Sequence, residues 1–328
     1  MNALRNFQHY NRNWDILLQT MNLIILRTLE IILGVEFIIG TLGNAFIALV
    51  NCMDWIKRRK ISLADQILTA LALSRIGVLW SIIIALVISL QNQDLWMTEK
   101  IIRTINLSWT VTNHFSLWLA SSLGIFYFLK IANFSNSAFL YLKWRVKKVV
   151  SMTLLVSLVL LFFNTVLVNT QIDAWVCGYK GNLSYSFCSR KFERLSRISV
   201  IINTVFLSAP FTVSLVTFLL LIFSLWKHLK RMQHSAKGSR DASTMAHVKA
   251  LQTVIAFLLL YAIYFLSLVK FWVSQFGTKS VIVLFCLAAG IVFPSGHPFV
   301  LILGNSKLRQ AALSVLGRLK CRFKDVDP

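Results

Sequence analysis

The sequence predicts an all-α membrane protein, a bundle of seven transmembrane helices followed by a short cytoplasmic amphipathic helix. Three observations carry this expectation. Hydrophobic residues form 57% of the 328-residue chain and charged residues 14%, with a mean hydropathy of +0.68. Soluble domains hold about 45–50% apolar residues even when glycine is counted. Seven stretches are also long and apolar enough to cross a bilayer, which takes about 20 residues each. Finally, the basic residues divide unevenly between alternate connections, as the orientation of a membrane protein requires.

The spans fall near 29–51, 63–90, 105–129, 149–169, 198–225, 250–270 and 281–303. They divide the chain into an extracellular amino terminus (1–28), a membrane domain (29–303) and a cytoplasmic tail (304–328). The opening "MNALRNFQHYNRNWDILLQT" lacks the apolar centre of a secretory signal, so the first span is expected to serve as its own insertion signal. Span one places Asn44 near mid-membrane. Span two, "ILTALALSRIGVLWSIIIALVISL", is apolar apart from one arginine, Arg75. A cation at that depth costs about 2.5–3.5 kcal/mol on insertion scales, so it needs partners inside the bundle. The expected partners are the Asn44 carbonyl oxygen and Ser295 or backbone oxygens of span seven, because five guanidinium donors can tie three helices together. His297 shares span seven with Ser295, but two residues apart on a helix they diverge, which argues against a Ser/His dyad.

Span three opens with "NLSWTVTNHFSLWLASS". Trp109 and Asn113 are one turn apart and project from one face. On a face lining an outward-opening cavity, an indole and a carboxamide suit a drug-sized ligand. Trp109 reads equally well as an interfacial aromatic anchor, and His114 reads as a structural hydrogen-bonder. Pro210 removes one hydrogen bond from span five and can kink it. Span six carries Tyr261 and Tyr264, the latter at a depth comparable to Trp109 and Asn113. After span seven, "NSKLRQAALSVLGRLKCRFK" repeats Leu308, Ala312, Val315 and Leu319 at helical spacing, with Lys307, Arg309, Arg318 and Lys320 opposite. That pattern reads as a helix lying on the membrane surface.

Counting Lys and Arg places 21 on the side holding the first, second and third alternate loops and the tail, and 12 on the side holding the amino terminus. The richer side is cytoplasmic by the positive-inside rule. The net charge of +22 therefore faces anionic lipid and an acidic cytosolic partner, and nucleic acid is not needed to explain it. Asn182-Leu-Ser184 then lies in the external loop between spans four and five, where N-glycosylation is physically possible. Cys177 and Cys188 share that loop and could pair there; Cys321 beside the surface helix is a palmitoylation candidate. The five cysteines have no paired metal-ligand spacing. The sequence has no GxSxG, HExxH, GxxxxGK[ST] or GxGxxG, and its membrane spans hold no carboxylate pair. No metal, cofactor or catalytic residue is expected.

Five blocks taken in order resemble the type 2 taste receptors, the bitter receptors of the G protein-coupled superfamily. They are "EFIIGTLGNAFIALVNCMDWIKRRKIS", "ADQILTALALSRI", "NHFSLWLASSLGIFYFLKIANFSNSAFLYLKWRVKKVV", "PFTVSLVTFLLLIFSLWKHLKRMQ" and "HPFVLILGNSKLRQA". "FYFLKIANFS" stands where rhodopsin-like receptors carry Asp/Glu-Arg-Tyr, and span three lacks the cysteine of their usual external disulfide. The resemblance implies a plasma-membrane receptor that binds bitter small molecules from outside and activates a gustducin-type heterotrimeric G protein inside. Trp109, Asn113 and Tyr264 match ligand-cavity positions of similar receptors, and Asn182 matches a glycosylated loop. Leu287 stands where some relatives carry an acidic residue, so neutral or weakly polar ligands are expected. The implied face for the G protein comprises Lys130, Lys143, Arg145, Lys147, Lys227, Lys230 and Arg231. A pheromone-type receptor and a transporter are the alternatives; the missing internal repeat weighs against the transporter.

Receptors of this kind begin close to their first span, so Met21 is a candidate translation start beside Met1. Mass spectrometry of the native amino-terminal peptide checks this, and a peptide from residues 1–20 would overturn it.

Overall fold

The computed structural model describes residues 2–92, 94, 98–180, 185–235, 242–274 and 280–324. The described residues are helical almost throughout, with no strand among them. In chain order the helices are α1 (Asn2–Arg58), α2 (Leu63–Gln91), α3 (Glu99–Ile131), α4 (Ser137–Trp144), α5 (Val146–Lys180), α6 (Tyr185–Ser235), α7 (Ala242–Ser274), α8 (Ser280–Gly304) and α9 (Ser306–Lys324).

Local chemistry explains several of the boundaries. Ser62 caps α2: its hydroxyl accepts from the Asp65 amide at 3.1 Å and donates to the Asp65 carboxylate at 2.8 Å. Asn136 caps α4 through the Ala138 amide at 2.9 Å. Asn305 caps α9 by accepting from the Lys307 and Leu308 amides at 3.0 and 3.4 Å. Helix α1 closes with Arg59 in the left-handed region, φ 51°, its amide donating to the Trp55 carbonyl.

Among the described residues, six helical segments are long and apolar enough to cross a membrane: Leu63–Gln91, Glu99–Ile131, Val146–Ala174, Ile201–Lys227, Leu251–Lys270 and Val281–Gly304. They cover the second to seventh spans expected from the sequence. The first expected span, 29–51, lies inside α1, which continues unbroken through residue 28. The long helices form a closed ring in which α1 packs on α2 and α8, α2 on α3, α3 on α5 and α6, α5 on α6, α6 on α7, and α7 on α8. Helix α3 is the inner post, with 67% of its apolar window buried against 11% for α5, which therefore faces outward.

Large apolar side chains cover the outside, among them Ile31, Ile38, Leu42, Phe162, Phe163 and Leu266. In water such a surface would aggregate; in hydrocarbon it is matched. The interior instead gathers Asn44, Arg75, Asn113, His114, Ser121, Asn203, Ser214, Ser295 and His297, all buried. This inversion is what a bilayer imposes, since polar groups find partners only within the bundle. Ser121 shows the pattern, its hydroxyl reaching the Pro210 carbonyl of α6 at 2.9 Å and accepting from Ser214 at 2.9 Å.

Close packing is decided at Gly40 of α1. A Cβ there would lie 2.5 Å from Ser295 Oγ, 2.9 Å from Leu79 Cδ1 and 2.9 Å from the Ser295 Cα. The backbone of α8 blocks the substitution, so α1 and α8 can meet at this depth only over a glycine. Gly34, two turns earlier, has nothing within 4 Å of the same position. Gly40→Ala is therefore expected to destabilise the bundle by about 1–3 kcal/mol through overpacking, while Gly34→Ala is neutral or stabilising. Thermal unfolding of the two purified variants checks the contrast.

Candidate functional site

The polar interior holds two adjoining clusters. The lower one is built around Arg75, which is fully buried on α2. Its Nη1 donates to Nδ1 of His297 on α8. A guanidinium has no acceptor, so the histidine supplies the lone pair and carries its proton on Nε2. The guanidinium carbon also sits 4.6 Å from the ring centroid of Phe293, one turn before His297. Nε and Nη2 of Arg75 have no hydrogen-bond acceptor, so the Phe293 ring face is the remaining favourable contact for the cation.

This corrects the partners expected from the sequence. Asn44 does not accept from Arg75. Its Nδ2 donates to the Gly40 carbonyl at 2.8 Å and the Pro294 carbonyl at 2.9 Å, and its Oδ1 has no partner. Ser295 Oγ is likewise unpartnered. The reason is backbone chemistry: Pro298 has no N–H, which frees the carbonyl four residues earlier, at Pro294, and the Asn44 amide satisfies it. Three helices are still joined, α1 to α8 by Asn44 and α2 to α8 by Arg75.

The upper cluster brings together two residues expected from the sequence. The Tyr264 hydroxyl of α7 donates to Asn113 Oδ1 of α3. Both are buried, and the bond crosses the bundle. Trp109 packs partly buried against the same core, one turn from Asn113. The two lie on the wall of a cavity of about 30 Å³ between α3, α5 and α6. That volume admits a water-sized group, far below the roughly 300–1,000 Å³ of a drug-sized pocket. Three polar atoms on this wall, His114 Nε2, Asn164 Oδ1 and Asn203 Nδ2, have no hydrogen-bond partner.

Phe293 connects the clusters. It is fully buried and stacks on Tyr261 at 5.1 Å, meets Tyr264 at 5.2 Å, and stacks on His297 at 5.5 Å. Phe257 closes the column against Tyr261 and His297. Sequence reasoning missed Phe293 and the role of His297. The available signal was their spacing: Phe293 and His297 are four apart and face the same neighbour.

The other expected site residues are dispersed. Leu287 packs with Leu29, Leu33 and Leu79 in a cluster of α1, α2 and α8, separate from the Asn113–Tyr264 pair. Lys130, Lys147 and Lys227 are exposed. Lys143 donates to the Ala132 carbonyl at 2.9 Å, closing the turn after α3. Arg145 and Lys230 lie over the rings of Tyr141 and Trp226, at 4.7 and 5.6 Å. Asn182 lies outside the described residues, as do the side chains of Arg231, Cys177, Cys188 and Cys321. At the α1–α2–α9 junction, Lys307 bridges Asp54 at 2.8 Å and Asp65 at 3.3 Å and donates to Asn51 Oδ1 at 3.1 Å. At the opposite end, Arg103 of α3 reaches Asp173 at 2.6 Å and Asn169 at 2.8 Å on α5.

With this geometry in hand, comparison with known proteins is specific. The family model described as taste receptor protein (TAS2R) matches residues 21–320. Taste receptor type 2 member 14 of Macaca mulatta is 58% identical over 298 residues, 90% of this chain and 93% of the relative. Taste receptor type 2 member 140 of Rattus norvegicus is 59% identical over 296 residues, covering 90% and 95%. Member 117 from the same species is 55% identical over 312 residues, covering 95% and 98%.

Breaking the Arg75–His297 contact from one side leaves a buried cation without its acceptor, a class of change that costs about 3–5 kcal/mol. His297→Phe is expected to lower thermal stability by an amount in that range. Arg75→Leu makes α2 more apolar yet still destabilises the fold or weakens signalling. The double variant should cost clearly less than the sum of the two; additivity within about 0.5 kcal/mol would mean that the pair is not coupled.

Proposed function

The chain belongs to the taste receptor type 2 family, multi-pass plasma-membrane G protein-coupled receptors of bitter taste, and we propose that it binds neutral or weakly polar bitter compounds from outside and signals through a gustducin-type G protein. In this reading α1 supplies the first of the seven spans through residues 29–51. Its support is the exposed apolar row Ile31, Val35, Ile38, Leu42 and Leu49, together with the packing of α1 on α2 and α8. The amino terminus is external and the carboxyl terminus cytoplasmic, on the strength of the basic-residue bias. Helix α9 lies on the inner membrane surface, with Leu308 buried at its root and Val315 exposed on the same face toward lipid.

The observation that carries the reading is the Tyr264–Asn113 hydrogen bond beside Trp109, joined through Phe293 to Arg75 and His297. A ligand that enters the cavity between α3, α5 and α6 competes with Tyr264 for the Asn113 carboxamide and stacks on Trp109. The cavity is small, so occupancy requires the helices on either side to separate. That separation moves Tyr264, and Phe293 moves with it because their rings are in contact. The guanidinium of Arg75, held only by Phe293 and His297, is then re-solvated or re-paired, which shifts α8 against α2. A change of packing at this depth is the bistable element a receptor needs.

On the cytoplasmic side, Lys130, Lys143, Lys147, Lys227, Lys230 and Arg231 present the positive field to an acidic G-protein surface. Leu287, packed away from the Asn113–Tyr264 pair, sets ligand preference only indirectly, through the α1–α2–α8 cluster. Asn182 is the glycosylation site of the second external loop. No enzymatic step is proposed; the family is a receptor family.

A calcium assay in cells expressing the receptor with a chimeric G protein, read against a panel of bitter compounds, tests the function. At least one neutral compound is expected to evoke a response; silence across the panel at normal surface level, with substrate uptake instead, would overturn it. For that agonist, Tyr264→Phe removes one hydrogen bond and is expected to shift the half-maximal concentration about tenfold. Phe293→Leu should leave agonist binding within a few-fold while lowering the maximal response.

A further inference from the structure

A second concavity opens on the outside of the bundle, between α3, α4 and α5, with a volume of about 470 Å³. Trp118 of α3 forms its floor, Tyr141 of α4 and Met152 and Val156 of α5 its walls, and Arg145 and Lys148 stand at one end. The spacing makes the groove graded. Lys148, Met152 and Val156 follow each other at i, i+4 and i+8, so one stripe of α5 runs from a cation into two turns of apolar surface, about 12 Å. Arg145 is held at the mouth by stacking over Tyr141 at 4.7 Å. Among the described residues neither cation has a carboxylate partner. Tyr141, Met152 and Val156 are exposed, on the helix with the lowest buried share of the six.

We propose that this groove binds an anionic phospholipid of the adjoining leaflet, its headgroup phosphate on Arg145 and Lys148 and one acyl chain along Trp118, Met152 and Val156. The proposal rests on the reading that puts α4 at the cytoplasmic face, where anionic lipid is concentrated. Charge and shape choose the occupant. Two unpaired cations at the mouth match a charged headgroup, whereas a sterol offers one hydroxyl and leaves both cations unanswered. Juxtamembrane cations of this kind favour anionic over zwitterionic lipid by about fivefold each, hence about 25-fold for the pair. Arg145, counted from the sequence among the residues facing the G protein, is thereby assigned to lipid. The groove also shares a wall with the inner cavity, because Trp118 lines both. A bound acyl chain packs on the outer side of the same indole whose inner side meets the cavity beside Asn113, so lipid composition tunes the stiffness of the ligand site.

Reconstitution of the receptor into phosphatidylcholine nanodiscs tests this, with a trace of photoactivatable phosphatidylserine, phosphatidylcholine or cholesterol added. Labelling of residues 141–156 is then read by peptide mass spectrometry. Phosphatidylserine is expected to label this segment about 25-fold more than phosphatidylcholine. The Arg145→Gln/Lys148→Gln double variant should bring the two to the same level, and Val156→Trp, which fills the groove, should reduce labelling by both. Equal labelling by the two phospholipids, no effect of the double variant, or cholesterol labelling at the phosphatidylserine level would each overturn the assignment. Both leaflets of a nanodisc have the same composition and no agonist or G protein is added. Failure here is therefore distinct from failure of the receptor reading or of its orientation.

Discussion

A guanidinium buried where there is no water has to be answered from within the protein, and the rest of this bundle is arranged around that need. Arg75 takes its hydrogen bond from the Nδ1 lone pair of His297 and its remaining stabilisation from the face of Phe293. Neither partner carries a formal negative charge, so the site is held by a lone pair and a ring quadrupole instead of by an ion pair. Such an arrangement satisfies the cation less completely than a carboxylate would, since two guanidinium nitrogens are without acceptors. It is correspondingly easier to rearrange.

The aromatic residues on α7 and α8 follow from this. His297, Phe293, Phe257, Tyr261 and Tyr264 form one contiguous column of edge-to-face and stacked rings. Rings pack densely with few rotamers, so displacement of one is felt by the next. The hydroxyl of Tyr264 reaches a polar partner across the bundle, Asn113. The column thus links the polar contact at Asn113 to the cation on the other side of Phe293, without any continuous chain of hydrogen bonds.

Close approach of α1 to α8 is the other structural requirement. Asn44 can reach the Pro294 carbonyl because Gly40, one turn earlier, lets the helices touch at Ser295. Pro298 frees the carbonyl, Gly40 removes the side chain that would keep it out of reach, and Asn44 supplies the donor. The three residues act as one device although they lie on two helices far apart in sequence.

Hydropathy alone fixed six of the membrane-crossing helices to within a few residues, because the cost of burying polar backbone and side chains in hydrocarbon leaves little choice of where a span can run. The position of Arg75, the one-turn spacing of Trp109 and Asn113, and the depth of Tyr264 were legible for the same reason, and five ordered blocks were specific enough to suggest the family. The partners of those residues were not. Span seven offered Ser295 and His297 two residues apart, and helical periodicity says only that they point in different directions; which one faces α2 depends on how α8 is rotated in the ring. The release of the Pro294 carbonyl is local, but its capture by Asn44 depends on two helices meeting at a glycine. The sequence by itself determined where the chain crosses the membrane and which side chains must be buried there. Only the tertiary structure decided which of them meet, because helix rotation and close approach are set by packing across the whole bundle.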